Sequence, residues 1–192
     1  MKRSMPLLAA TTLLALALAA RAGAESLQPG EVDFGEFSPP SSGGEFVEVN
    51  LGNQLISLAA RLVPKEQREV ANLLNSVQLV RVNVIGLDAG NRDELKNRAQ
   101  KIQQQLKAKG WERIVTAKKN NQDVGISLKM RGTNSVAGLV VIAIDGDRQA
   151  VFINIVGDVK PEQLALVGEQ LNIDPLKKFG PKPKPGNSEP EK

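Results

Sequence analysis

Apolar and polar positions alternate with two clear periods along this chain. Phe46, Val47 and Val49 suggest a short strand, and Leu55, Ile56, Leu58, Ala59 and Leu62 then recur at helical spacing. Pro64 suits the first turn of a second helix, whose stripe is Val70, Leu73, Leu74 and Val77. From Leu79 to Leu87 the period drops to two. Val80, Val82 and Val84 alternate with Arg81 and Asn83, which predicts a strand with one buried face.

Asn91 is placed to cap a third helix, with Glu94 in the capping-box position. Leu95, Ala99, Ile102 and Leu106 form its stripe, and Gly110 stops it. Four strands follow: Ile114–Lys118, Val124–Met130, Val136–Ile144 and Ala150–Val156. The first pair is joined at Asn120, Asn121 and Gln122, and the last pair at Asp145-Gly146-Asp147, a hairpin signal. A last helix is predicted from Pro161, carrying Leu164, Val167 and Leu171. The order is β-α-α-β-α-β-β-β-β-α. It predicts a two-layer α+β domain over residues 45–178, with five or six strands in a mixed, mostly antiparallel sheet and the helices on one face.

The flanking segments read differently. Residues 25–44 are dense in Pro, Gly and Ser and read as a flexible leader, and residues 179–192 as a disordered Pro/Lys-rich tail. Lys2 and Arg3 precede the uncharged run Leu7–Ala20, and Ala22-Gly23-Ala24 offers a cleavage site. Residues 1–24 are expected to be a signal peptide, since the apolar run is shorter than the ~20 residues that span a bilayer. The expected location is periplasmic or secreted. Removing residues 1–24 takes away Lys2, Arg3 and Arg21 and changes 25 basic against 21 acidic residues into 22 against 21, or +1. Net charge therefore gives no reason to expect nucleic acid or an anionic membrane as partner.

Cysteine, histidine and tyrosine are all absent. No disulfide and no cysteine-borne lipid anchor is expected, and the commonest general base and transition-metal ligand are missing. Asp88, Asn91, Asp93 and Glu94 cluster in one loop, but the alternate positions a calcium loop needs hold Gly90 and Arg92. The Asp145/Asp147 pair is explained by its turn. No glycine-rich loop has nucleotide spacing. Trp111 is expected to seal a helix-to-strand junction. The chain is expected to fold without metal or cofactor.

Two features carry functional expectations. Ser127 and Lys129 lie two apart on one strand, a nucleophile and base in principle, although the alternation places them on a wet face. Val136–Ile144 and Ala150–Val156 are apolar on both faces, so the second face needs cover from the leader, a helix or a second copy of the chain. Leu139, Val141, Ala143, Phe152 and Asn154 form the candidate interaction surface for a protein partner or a homodimer.

The segments Phe46-Val47-Glu48-Val49-Asn50-Leu51, ANLLNSVQLVRVNVIG from Ala71 to Gly86, VAGLVVIAID and AVFINIVGDV resemble a bacterial family catalogued as domain of unknown function 4252. The resemblance covers about residues 45–173. It implies a small exported protein, of a kind often made as a lipoprotein and associated with envelope stress sensing. It brings no activity and no functional residues. The leading expectation is a non-enzymatic binding or accessory module of the bacterial envelope. A hydrolase using carboxylates or Ser127/Lys129, and a structural periplasmic protein, are the alternatives.

The exported protein is expected to start at or near Glu25. Its intact mass decides, and a membrane-bound form that retains residues 1–24 refutes the expectation.

Overall fold

A computed structural model describes residues 27–119, 121–160, 163 and 165. Its elements are β1 (Phe46–Gly52), α1 (Asn53–Leu62), a 3-10 turn (Lys65–Gln67), α2 (Arg68–Ser76), β2 (Val77–Gly86), α3 (Arg92–Ala108), β3 (Glu112–Lys119), β4 (Gln122–Arg131), β5 (Ser135–Asp145) and β6 (Gln149–Val159). The α+β class holds. Of the helix predicted from Pro161, Gln163 and Ala165 are described and helical, and its stripe of Leu164, Val167 and Leu171 lies outside the described residues.

All six strands form one sheet, in the order β1-β2-β6-β5-β4-β3, and every neighbouring pair is antiparallel. After β2 the chain crosses through α3 to the far edge and returns as a meander. That return places β6 beside β2 and leaves β5 and β6 at the centre.

The expected two-layer arrangement with helices on one face gives way to three layers. On one face Ile56 of α1 and Leu73 of α2 pack with Leu139, Val141, Ile126 and Ile155. On the other, Leu95, Ala99, Ile102 and Leu106 of α3 pack with Val140, Ile142, Ile144 and Phe152. The reason is in β5 itself. Its side chains alternate across the sheet and both sets are apolar, so each face needs its own cover. Burying a Leu or Ile side chain is worth about 1.5–3 kcal/mol, so neither face can stay wet cheaply.

The periodicity of α3 is realised in full, and Gly110 ends the helix at φ +72°. Its start differs from expectation. Asn91 stands at the N-cap, but its side chain makes no capping bond to the helix. Instead its Oδ1 accepts from the Asp88 N–H (2.8 Å) and its Nδ2 donates to the Gly86 carbonyl (2.9 Å). Glu94 turns to Arg98 (2.6 Å) and closes no capping box. The loop's own donors compete for these side chains and win.

The leader differs most. The described part of the leader expected to be flexible, residues 27–44, crosses the α3 face of the sheet as a strap. Phe34 and Phe37 pack on Phe152, with ring centroids 5.7 and 4.9 Å apart, and the Arg98 guanidinium lies 4.8 Å over the Phe37 ring. Asn154, fully buried, ties the strap down. Its Oδ1 accepts from the Val32 N–H (2.9 Å), and its Nδ2 donates to the carbonyls of Gly30 (3.0 Å) and Leu139 (3.2 Å). Glycine makes the crossing possible, because a Cβ at Gly138 would strike the Gly30 backbone and the Trp111 ring. Asn83, expected to be wet, is also buried.

Replacing Asn154 with Ala strands one N–H and two carbonyls in the interior. The expected cost is about 2–4 kcal/mol. Urea unfolding measures it, and a loss below about 0.5 kcal/mol would show that the amide does not hold the strap.

Candidate functional site

The five residues expected to form an interaction surface do not share one. Leu139 (2% exposed) and Val141 (5%) lie in the core beneath α1 and α2, and Ala143 is half-buried on that same face. Phe152 and Asn154 are wholly buried on the opposite face, under the strap. Strand alternation separates the two groups, and the chain covers both. These positions are interior, not an open face.

Ser127 and Lys129 do point to one face, but that face is not wet. Ser127 is 5% exposed, and Lys129 is half-buried beside the end of α3. The Lys129 ammonium donates to the Lys109 carbonyl at 2.6 Å and the Gly110 carbonyl at 3.4 Å. A cation suits a helix C-terminus, where the last carbonyls lack partners. Its donors are directed there and not at Ser127.

The carboxylates are likewise engaged. Asp88 accepts N–H groups from Gly90 (2.8 Å), Asn91 (2.9 Å) and Ser42 (3.2 Å), and the Ser41 hydroxyl at 3.2 Å. It pins the end of the strap to the loop before α3. The Ser42 N–H foremost, then those of Asn91 and Gly90, lower its pKa from 3.8 to about 2. Asp145 pairs with Arg148 (3.5 Å) and Asp147 with Arg92 (3.3 Å), so the two turn carboxylates face different cations. Among the described residues, no three His, Cys, Asp or Glu side chains stand close enough to hold a metal ion. No helix among them is long and apolar enough to cross a membrane.

What remains open is a cleft. The helix α3 buries one stripe on the sheet, and its neighbouring stripe overhangs β3 and β4. Gln100, Gln103, Gln104 and Lys107 face Arg113 and Ser127 across a space of about 600 Å³, with Trp111 at one side. Gln100 and Gln103 also line a second space of about 250 Å³, where Lys96 faces Lys118 and Asp123. The two spaces run on along the helix. Gln103 and the Arg113 guanidinium lie over the Gly125 backbone, where an added Cβ would come within 3.3 and 3.5 Å of them.

The charges along this cleft are unbalanced. Lys96, Lys107, Arg113 and Lys118 are set against Asp123, which Lys118 already pairs at 3.3 Å. The three glutamines add amide donors and acceptors. The lining of the cleft thus offers hydrogen bonds and positive charge. It contains no nucleophile paired with a base. Sequence reasoning did not single these residues out, although Gln100, Gln103, Gln104 and Lys107 stand at i, i+3, i+4 and i+7, a polar stripe beside the apolar one.

The model of one family, described as Domain of unknown function (DUF4252), matches residues 42–167. No curated protein and no solved structure matches the chain.

Asp88 makes the anchoring of the strap sensitive to acid. Its folded pKa lies below its unfolded value, so its contribution is present above about 3.8 and is lost as pH falls toward about 2. Asp88→Ala is expected to be less stable than the parent at neutral pH. The difference should close on acidification through that window. A constant difference in an acid titration of unfolding would mean that the carboxylate is not the anchor.

Proposed function

The chain belongs to the DUF4252 family, and we propose that it is a non-enzymatic binding module of the bacterial envelope whose ligand occupies the cleft between α3 and β3–β4. The observation that carries this reading is the unspent polar stripe of α3. Gln100, Gln104 and Lys107 are exposed, as the solvent side of an amphipathic helix ordinarily is; what sets this stripe apart is that it lines one hollow together with Arg113 and Ser127. The ligand's chemistry follows from the lining: it carries negative charge and several hydrogen-bonding groups. Charge-assisted hydrogen bonds from Arg113 and Lys107 would supply the strongest contacts.

The envelope location rests on the reading of residues 1–24 as a cleaved signal peptide, and the binding role on the cleft. The alternative of a Ser127/Lys129 hydrolase has no support in the geometry, because Lys129 caps α3.

The test is a pull-down. Immobilised exported protein is expected to retain an envelope component at low salt and release it at high salt. The double variant Lys107→Glu, Arg113→Glu should weaken retention by about tenfold or more, while the fold stays intact by circular dichroism. Gly125→Val should also weaken it, by displacing Gln103 and Arg113. Retention unchanged in both variants, or no retained component at all, would refute the reading.

A further inference from the structure

The two edges of the sheet are unlike. Edge strands expose a row of unpaired N–H and C=O groups, which proteins commonly guard with charge. The β3 edge is guarded, since its eight residues include Glu112, Arg113, Lys118 and Lys119. The β1 edge is not. Its seven residues, FVEVNLG, carry one charge, Glu48.

The flank of β1 is also apolar. Val47, Val49 and Leu51 pair with Val84, Val82 and Val80, so they lie on the α1 side of the sheet. Val47 and Leu51 are among the chain's exposed large hydrophobics. The next element, α1, lies over β1 and β2, while α2 lies further in over β2 and β6. It buries Ile56 and Ala60 on the sheet and leaves a second face open: Leu55, Leu58 and Leu62 are 57%, 54% and 76% exposed. Leu55, Leu58 and Leu62 follow a 3-4 spacing on α1, the seam spacing of paired helices. An open strand edge and an open leucine seam thus lie on consecutive elements.

We propose that the occupant of this edge is a second copy of the chain, joined through antiparallel β1–β1 pairing with the two α1 helices packed beside each other. The register can be worked out. The Gly86 N–H donates to the Glu45 carbonyl at 2.7 Å, so the odd residues of β1 bond inward to β2. The outward groups belong to Phe46, Glu48, Asn50 and Gly52. A twofold axis at Val49 sets Phe46 against Gly52 and Glu48 against Asn50 of the second copy, and every outward group meets another. Val47 then faces Leu51, apolar on apolar, on the α1 side. Centring the pair on Glu48 would oppose two carboxylates, and centring it on Asn50 would shorten the ladder. The strand reads as its own complement. The outward-facing residues of a seven-residue strand and a ten-residue helix per copy fall short of the roughly 20–30 residues a side of a standard interface, which suits a dimer that dissociates on dilution.

Sedimentation of the purified exported protein should show a dimer that dissociates on dilution. Leu58→Glu changes an exposed residue, and Glu48→Pro removes an N–H that points away from β2, so both should keep the parent's circular dichroism spectrum and sediment as monomers, with a melting temperature that, unlike the parent's, does not depend on concentration. Register is tested separately. The chain has no cysteine, and opposed residues of a non-hydrogen-bonded pair have Cα atoms about 4.5 Å apart, within the range of a disulfide. Val49→Cys should therefore oxidise to a covalent dimer, and Val47→Cys, facing Leu51, should not. A parent that is monomeric at every concentration overturns the proposal. So does a dimer that survives both edge variants. A monomer that floats with anionic vesicles through Leu55, Leu58 and Leu62 would give the seam to lipid and likewise overturn it.

Discussion

Strands β5 and β6 have no side that water can touch. Val140, Ile142 and Ile144 fill one face of β5, Leu139 and Val141 fill the other, and Phe152 and Ile155 divide β6 in the same way. With about 25 cal/mol for each Å² of apolar surface removed from water, two apolar faces demand two covers. The rest of the architecture answers that demand. The pair α1–α2 covers one side, and α3 covers part of the other. Since α3 is too narrow to cover all of its face, the strap from Gly30 to Phe37 completes it. Asn154 makes this last arrangement specific. A polar group inside an apolar layer is tolerable only with its partners in place, and its three partners fix where the strap crosses β5.

Much of this was legible in the residues. The stripe of α3, the stop at Gly110 and the turn at Asp145-Gly146-Asp147 are local signals, and local structure obeyed them. The two-sided apolar strands stated that cover was needed. They did not state what supplies it, because periodicity reports which face is dry and nothing about the neighbour. Phe34 and Phe37 sit in a Pro/Gly-rich segment with no period at all, so their burial depends on Phe152, more than a hundred residues away in the chain. Asn154 sits where a polar residue in a strand would ordinarily signal solvent. Asn91 and Glu94 had the right types and spacing for a capping box, and nearer partners took them.

The cleft and the leucine seam were hidden for a different reason. Each is a second stripe on a helix whose first stripe is buried. On α3 the second stripe is polar and overhangs β3 and β4. On α1 it is apolar and bare. Sequence shows that both stripes exist. Only the width of the sheet beneath decides whether the second one is buried, and that width is a property of the whole topology. The two lie toward opposite edges of the sheet, the cleft by β3 and the seam by β1, so occupying one leaves the other free.

The strap also bears on the order in which the chain becomes a protein. Its hydrogen bonds to Asn154 join residues 122 and 124 positions apart, so the seating of an early segment is completed by β6. A chain that emerges N-terminus first, from a ribosome or through a membrane pore, cannot complete this interior until β6 has emerged. Contacts of such long range make folding slow. Delay of that kind favours passage through a narrow channel, because the emerging chain stays threadable until its far end arrives. Tying the beginning to the end thus works as a timer on folding, set by nothing more than where Asn154 falls in the sequence.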